Sequence, residues 1–244
     1  MKTLLQNRIL LVSLITILFA QACKKEATSA SNMVSASAQD DAKMVKQLVL
    51  QPGPADGYDT WLTWKRGDNV ITNSNWDTVS ITAAYSWTAD GLPITGRSLI
   101  KFSGLSKIAP DARIISATLY MYGVDNSPHL PVGNSLYYGS PYTDDNSVTV
   151  LRVTQNWDPS VVTWPTQPKI TKADAVVIPV STKQWNYDAH VDVTSMVKRM
   201  VANPSTNYGF MFRMAVENIY KCMQFSSSNY YIADRRPKLV VVYK

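Results

Sequence analysis

The stretch "NWDPSVVTWP", residues 156–165, sets two tryptophans seven positions apart, with Asp158 and Pro159 after the first and Pro165 after the second. It can be read as a sugar platform, as part of an active site, or as a structural corner. Asp-Pro and Trp-Pro are rigid turn punctuation. A large aromatic at such a corner closes the end of a β-sandwich, and its N–H finds a backbone acceptor. The stretch is therefore expected to mark the fold, with Trp157 and Trp164 as structural residues.

The segments on either side support that reading. "VKQLVLQP", "RSLIKF", "RIISATLYMYG", "SVTVLRVT", "AVVIPV", "YGFMFRM", "CMQFSS" and "KLVVVY" are short apolar runs, several of them alternating, broken by Gly, Pro, Asn and Asp. Period-2 alternation between turn signals predicts an all-β, jelly-roll-like sandwich of eight or more strands. One segment has a different period. In "VDVTSMVKRMVANP", Val193, Met196, Val197 and Met200 fall at helical spacing, Asp192 or Thr194 can cap the start, and Asn203-Pro204 ends it. A short helix near 194–202 is expected, with its apolar stripe in the core.

The chain begins with Lys2 and Arg8, the apolar run "ILLVSLITILF" and then "AQAC". Basic start, short apolar stretch and small residues before the cut describe a secretory leader over 1–22. The run is too short to span a bilayer. Ala22-Cys23 resembles the end of a bacterial lipobox, which makes Cys23 the expected lipidation site. Acyl chains including palmitate would then anchor the protein, since several chains hold where one is marginal. "KKEATSASNMVSASAQDDAK" lacks aromatics and periodicity and is expected to be a flexible tether, so that 23–43 links the lipid to a domain over 44–244. Lys24-Lys25-Glu26 resembles the start of surface-exposed lipoproteins of some Gram-negative bacteria, which implies the outer membrane and its external face. With Cys23 acylated, Cys222 has no partner for an intramolecular disulfide.

The formal net charge is +6, and without Lys2 and Arg8 of the leader 22 basic and 18 acidic residues remain, or +4, a mild bias. It favours an anionic polymer over an acidic partner, and no Lys or Arg run is long enough to track nucleic-acid phosphates. Hydrolysis of a glycoside calls for two carboxylates, yet Glu217 is the only Glu after the tether and most Asp residues sit in turns such as Asp90-Gly91. His129 and His190 fit neither a nucleophile's base nor a metal spacing. No catalytic residue and no metal ligand set is assigned. The Asp residues of "ADGYD" offer oxygens to a structural calcium ion, without the spacing of a recognisable loop.

Binding has better material. Aromatic faces stack on sugar rings, and Arg or Lys adds recognition of carboxylated sugars. Trp61, Trp64, Trp76 and Trp87 cluster early in the domain. Leu62 shares its parity with Trp64, which leaves Trp61 as the expected exposed ring. Arg97 and Lys101 share the outward parity of "RSLIKF" and could form a basic stripe. Carbohydrate contact is therefore expected from Trp61, Trp76, Trp87, Arg97 and Lys101, in competition with an ordinary solvated strand face.

In chain order, "ADGYDTWL", "NSNWDTVSITA", "GRSLIKFSGLSKIAPDARIISATLYMYG", "VLRVTQNWDPSVVTWPTQP", "VDVTSMVKRM", "NYGFMF" and "RPKLVVVY" resemble the DNRLRE-domain family, which includes the family 96 carbohydrate-binding modules. The literal DNRLRE string is absent, and "SPHLPVGNSLYYGSPYTDDN" is a longer insertion than the family pattern. The resemblance implies a β-sandwich that occurs as a module on polysaccharide-degrading enzymes or in surface proteins, some members binding acidic glycans. The sequence thus leads to a non-catalytic, lipid-anchored surface domain binding an acidic polysaccharide. A structural or adhesive surface protein without a glycan ligand is the alternative, and a polysaccharide lyase is the third reading.

Overall fold

The computed structural model describes residues 44–134 and 145–244; the expected leader, Cys23 and the tether lie outside the described residues. Eleven strands among them form two sheets, as alternation predicts for an all-β sandwich. The strands are β1 (Lys46–Leu50), β2 (Asp59–Lys65), β3 (Ile81–Ala89), β4 (Leu92–Ile100), β5 (Ile114–Met121), β6 (Val148–Val153), β7 (Ile170–Ile178), β8 (Ala189–Asp192), β9 (Phe210–Met214), β10 (Lys221–Ser226) and β11 (Lys238–Tyr243). One sheet runs β1-β11-β5-β8. The other runs β10-β3-β4-β9-β6-β7, with β2 paired to β4.

Alternation places the main core between the sheets. Ala117, Leu119 and Met121 of β5 are buried, whereas Thr118 and Tyr120 between them are only half-buried. Leu119 and Val241 share a buried cluster with Val150, Phe210, Phe212 and Met223 of the larger sheet. Each such side chain contributes about 1.5–3 kcal/mol on leaving water. Helix α2 (Thr194–Ala202) adds Met196, Val197 and Met200 to this core, and Asp192 accepts from the Thr194 N–H at its start (2.8 Å). Strand β7 ends the larger sheet and is irregular: Lys172 to Ala175 stand opposite Leu151 alone, and Asp174 has φ 65°.

The opposite face of the larger sheet is also covered. Leu62, Leu99, Leu151 and Met211 form a second buried cluster beneath Trp157 and Val162 of the 156–165 segment. The Trp157 indole N–H donates to Tyr208 O (2.8 Å), and the Tyr58 hydroxyl donates to Trp157 O while its ring meets Trp157 edge-on at 4.8 Å. The opening stretch is a structural corner.

Strand β4 is the seam of the larger sheet, and Gly96 is its critical position. In register, Gly96 faces Thr63 of β2 on one side and Tyr85 of β3 on the other. The Tyr85 ring crosses the glycine, and its hydroxyl bonds Thr63 Oγ1 at 3.0 Å. A Cβ at Gly96 would stand 2.0 Å from the ring. Gly96→Ala is expected to cost about 1–3 kcal/mol by overpacking. At roughly 2–4 °C per kcal/mol for a domain of this size, a thermal melt should fall by several degrees.

Candidate functional site: an aromatic pocket

Beside that crossing lies a pocket of about 300 Å³ whose walls are Trp61 and Thr63 of β2, Tyr85 and Trp87 of β3, Trp76, and residues 129–132. That volume is at the lower end of small-molecule sites. Three of the tryptophans expected to meet sugar, Trp61, Trp76 and Trp87, therefore line one pocket.

Each wall has a local cause. Asp90 and Gly91, both at positive φ, make the tight β3–β4 hairpin that presents Trp87. Trp76 follows Asn75, whose amide donates to Val162 O (3.1 Å) and to Pro159 O, so the loop carrying Trp76 is tied to the structural corner. The short helix α1 (Asn69–Thr72), capped by Asp68 on the Ile71 N–H (2.9 Å), adds Ile71. The fourth wall comes from the insertion after Ser127. Gln224 of β10 donates from its amide to Leu130 O (3.1 Å), and its own N–H donates to Asn134 Oδ1 (2.9 Å). That double tie holds His129 and Leu130 over the tryptophans.

The rings meet edge to face. Trp61 lies 5.5 Å from Trp76, 5.9 Å from Tyr85 and 5.9 Å from His129 between centroids. Unlike Trp157, Trp61 and Trp76 have buried indole N–H groups with no acceptor among the described residues. An unpaired buried donor costs about 1–3 kcal/mol, and folded proteins carry few of them. Tyr220 packs against Trp87 with its ring 5.2 Å away and nearly perpendicular. Its backbone has φ 70°, a conformation that costs a bulky residue about 1–3 kcal/mol.

Chemically, the lining is suited to stacking. Among the described residues it includes no Asp, Glu, Lys or Arg. Burial pushes the Tyr85 hydroxyl and the Cys222 thiol well above their ordinary pKa values, so both stay neutral near pH 7. At "ADGYD", Asp56 accepts from the Gly53 N–H (2.7 Å) and Asp59 from the Ser228 N–H (2.8 Å), so both carboxylates have local partners.

Two sequence expectations are corrected here. Trp61 is 3% exposed, because β2 is covered on both faces: Leu62 lies under the corner segment while Trp61 packs among the pocket rings. Nor does an open basic stripe form. Arg97 donates through Nε and Nη2 to both oxygens of Glu217 (2.7 and 2.8 Å), bonds Gln167 (2.7 Å) and lies over Trp164 at 4.4 Å. Lys101 sits over the Tyr58 ring at 4.7 Å, and burial pulls its ammonium below its usual pKa. Both cations serve the corner side of the sheet rather than joining Trp61. Sequence reasoning missed the contributions of His129, Leu130 and Tyr220; the unusual length of the insertion was the signal for the first two.

Residues 73–243 match the family model of carbohydrate-binding module family 96. The chain belongs to that family. A search of curated proteins found no match. The protein is thus a carbohydrate-binding module by family, and its match covers Trp76, Trp87, the insertion and the β9–β10 turn. Trp61 and Thr63 come from a strand that precedes the matched residues, yet they complete the pocket of the module. Removing Arg97 should act on the module's fold. Arg97→Ala leaves Glu217 half-buried without its partner and is expected to cost about 1–3 kcal/mol, read as an earlier thermal melt.

Proposed function

We infer that this module captures polysaccharide without catalysis, seating a sugar residue in the aromatic pocket. The convergence of Trp61, Trp76 and Trp87 on one cavity carries this reading. Ring faces supply the apolar surface that the C–H faces of a pyranose need. The lack of a carboxylate among the described lining residues supports binding over hydrolysis. The polymer we favour is acidic, of the uronate type. Its support is the basic balance left once Lys2 and Arg8 go with the leader, 22 Lys and Arg against 18 Asp and Glu, or +4, which attracts a polyanion at long range, while carboxylates stay outside a pocket with no cation among its described lining residues. Acylation at Cys23 and display on the outer membrane complete the proposal and rest on the leader's sequence.

The test is electrophoresis of the Cys23→Ser protein, which cannot be acylated, in gels containing alginate, pectin or neutral β-glucan across a salt series. Retardation by the uronate polymers, weakened by salt and reduced about tenfold by Trp87→Ala, is the expected result. Retardation by β-glucan with no salt dependence would keep the pocket and remove the acidic ligand. Migration unaffected by every polymer would favour a structural or adhesive role. Shortened alginate chains after incubation would indicate a lyase.

A further inference from the structure

The alternation that sends Leu119, Val191 and Leu239 into the main core sends Tyr120, His190 and Lys238 to the outer face of the smaller sheet. The register sets these three side by side, Lys238 of β11 opposite Tyr120 of β5, and Tyr120 opposite His190 of β8. Neighbouring strands lie about 5 Å apart, so the row spans about 10 Å. Lys238 Nζ stands 4.9 Å from the centre of the Tyr120 ring and 5.5 Å from that of Tyr122, and the His190 ring lies 6.0 Å from Tyr120 on the β8 side. The face is open to water. Val240 and Val242 of β11 point the same way and belong to none of the three buried clusters. His190 is exposed, while Lys238 and both tyrosines are half-buried. Among the described residues the Lys238 ammonium and the hydroxyls of Tyr120 and Tyr122 have no hydrogen-bond partner, and none of these atoms is sealed from solvent.

We propose that this row is a second carbohydrate site, which takes the carboxylate of an acidic glycan on Lys238 and its ring hydroxyls on Tyr120, Tyr122 and His190. It rests on the acidic polymer proposed above and is independent of the aromatic pocket, whose tryptophans belong to the other sheet and its loops. The site supplies the free cation that the pocket lacks. Arg97 and Arg235 have their charges answered by Glu217 and Asp188. Lys238 instead lies over two ring faces, which attract a cation without neutralising it, and it forms no ion pair among the described residues. A carboxylate arriving from solution finds its donors unused, and the charge-assisted bond it makes is about twice as strong as a neutral one. The two carboxylates that flank His190 in sequence do not compete for the lysine. Asp188 accepts from the Gly123 N–H (2.9 Å) and from Arg235 (2.8 Å), and Asp192 accepts from the Thr194 N–H (2.8 Å).

The test places Lys238→Gln, Tyr120→Phe, Trp87→Ala and, as a charge control, Lys172→Gln in the Cys23→Ser protein, melts each, and measures its retardation by alginate and pectin across a salt series. Lys238→Gln should weaken retardation about tenfold and flatten its salt dependence at an unchanged Tm. Tyr120→Phe, which keeps the ring and removes the hydroxyl, should weaken it about fivefold. Lys172→Gln, an exposed charge on β7, should bind as the parent does. Parental retardation of Lys238→Gln, with Trp87→Ala still losing binding, would overturn this inference and leave the pocket standing. Loss in Lys238→Gln with full binding by Trp87→Ala would keep this face and remove the pocket. Equal losses in Lys238→Gln and Lys172→Gln would mean that net charge alone acts, and the site would fall. Should Lys238→Gln melt early, Tyr120→Phe decides, and parental binding there overturns the proposal. Binding to phosphatidylglycerol vesicles that needs Lys238, without retardation by either polymer, would assign the face to a membrane instead. A parent protein that no uronate polymer retards would overturn the acidic ligand and this site together.

Discussion

A tyrosine crosses the central strand of the larger sheet at the one point where that strand has no side chain. Tyr85 passes over Gly96 to reach Thr63, and this contact links β3 to β2 across β4. Two residues further along β4, Ser98 takes over: its hydroxyl accepts from the Ala83 N–H (2.8 Å) and donates to Ala83 O (2.6 Å). Between these points β3 gives up its pairing with β4, and β9 occupies residues 98–100 instead. The sheet is thus split along β4, with a hydroxyl standing in for the missing ladder bonds. The aromatic pocket sits over the paired half and the main core lies against the other half.

The tryptophans divide along the same line. Trp157 has a backbone acceptor for its N–H and fastens the corner; Trp61 is buried and Trp76 half-buried, both with the indole donor unspent. Asn75 joins the two groups, because its amide reaches the corner carbonyls while its neighbour Trp76 enters the pocket. The Asn75 side chain is thus a direct bonded link between the corner and the loop that carries Trp76.

Much of the fold was legible because alternation reports burial wherever one strand face is wet. β5 obeyed that rule, and the stripe of α2 was plain at Met196, Val197 and Met200. The same rule misplaced Trp61, since β2 has two dry faces and parity then says only which cluster a residue joins. Arg97 had the right parity for the outer side of its sheet, but parity carries no information about Glu217, which lies 120 positions away in sequence and pairs with it. The aromatic content of the site was visible from composition, its assembly was not: Trp76 and His129 come from loops, whose positions depend on ties such as Asn75 and Gln224 that no local pattern announces. Tyr220 was hidden for another reason. Left-handed backbone is normally advertised by Gly or Asn, and here it is imposed on a residue that gives no such sign.

Open sandwiches have free sheet edges, which are templates for pairing with other copies. β7 ends the larger sheet, and its middle bows out at Lys172 to Ala175, with Asp174 in a left-handed turn and its carboxylate held by Arg199 of α2 at 2.5 Å. An incoming strand would meet a charged, interrupted border with too few aligned amides to extend a ladder. At this edge, then, two copies of the domain can touch without their sheets becoming one.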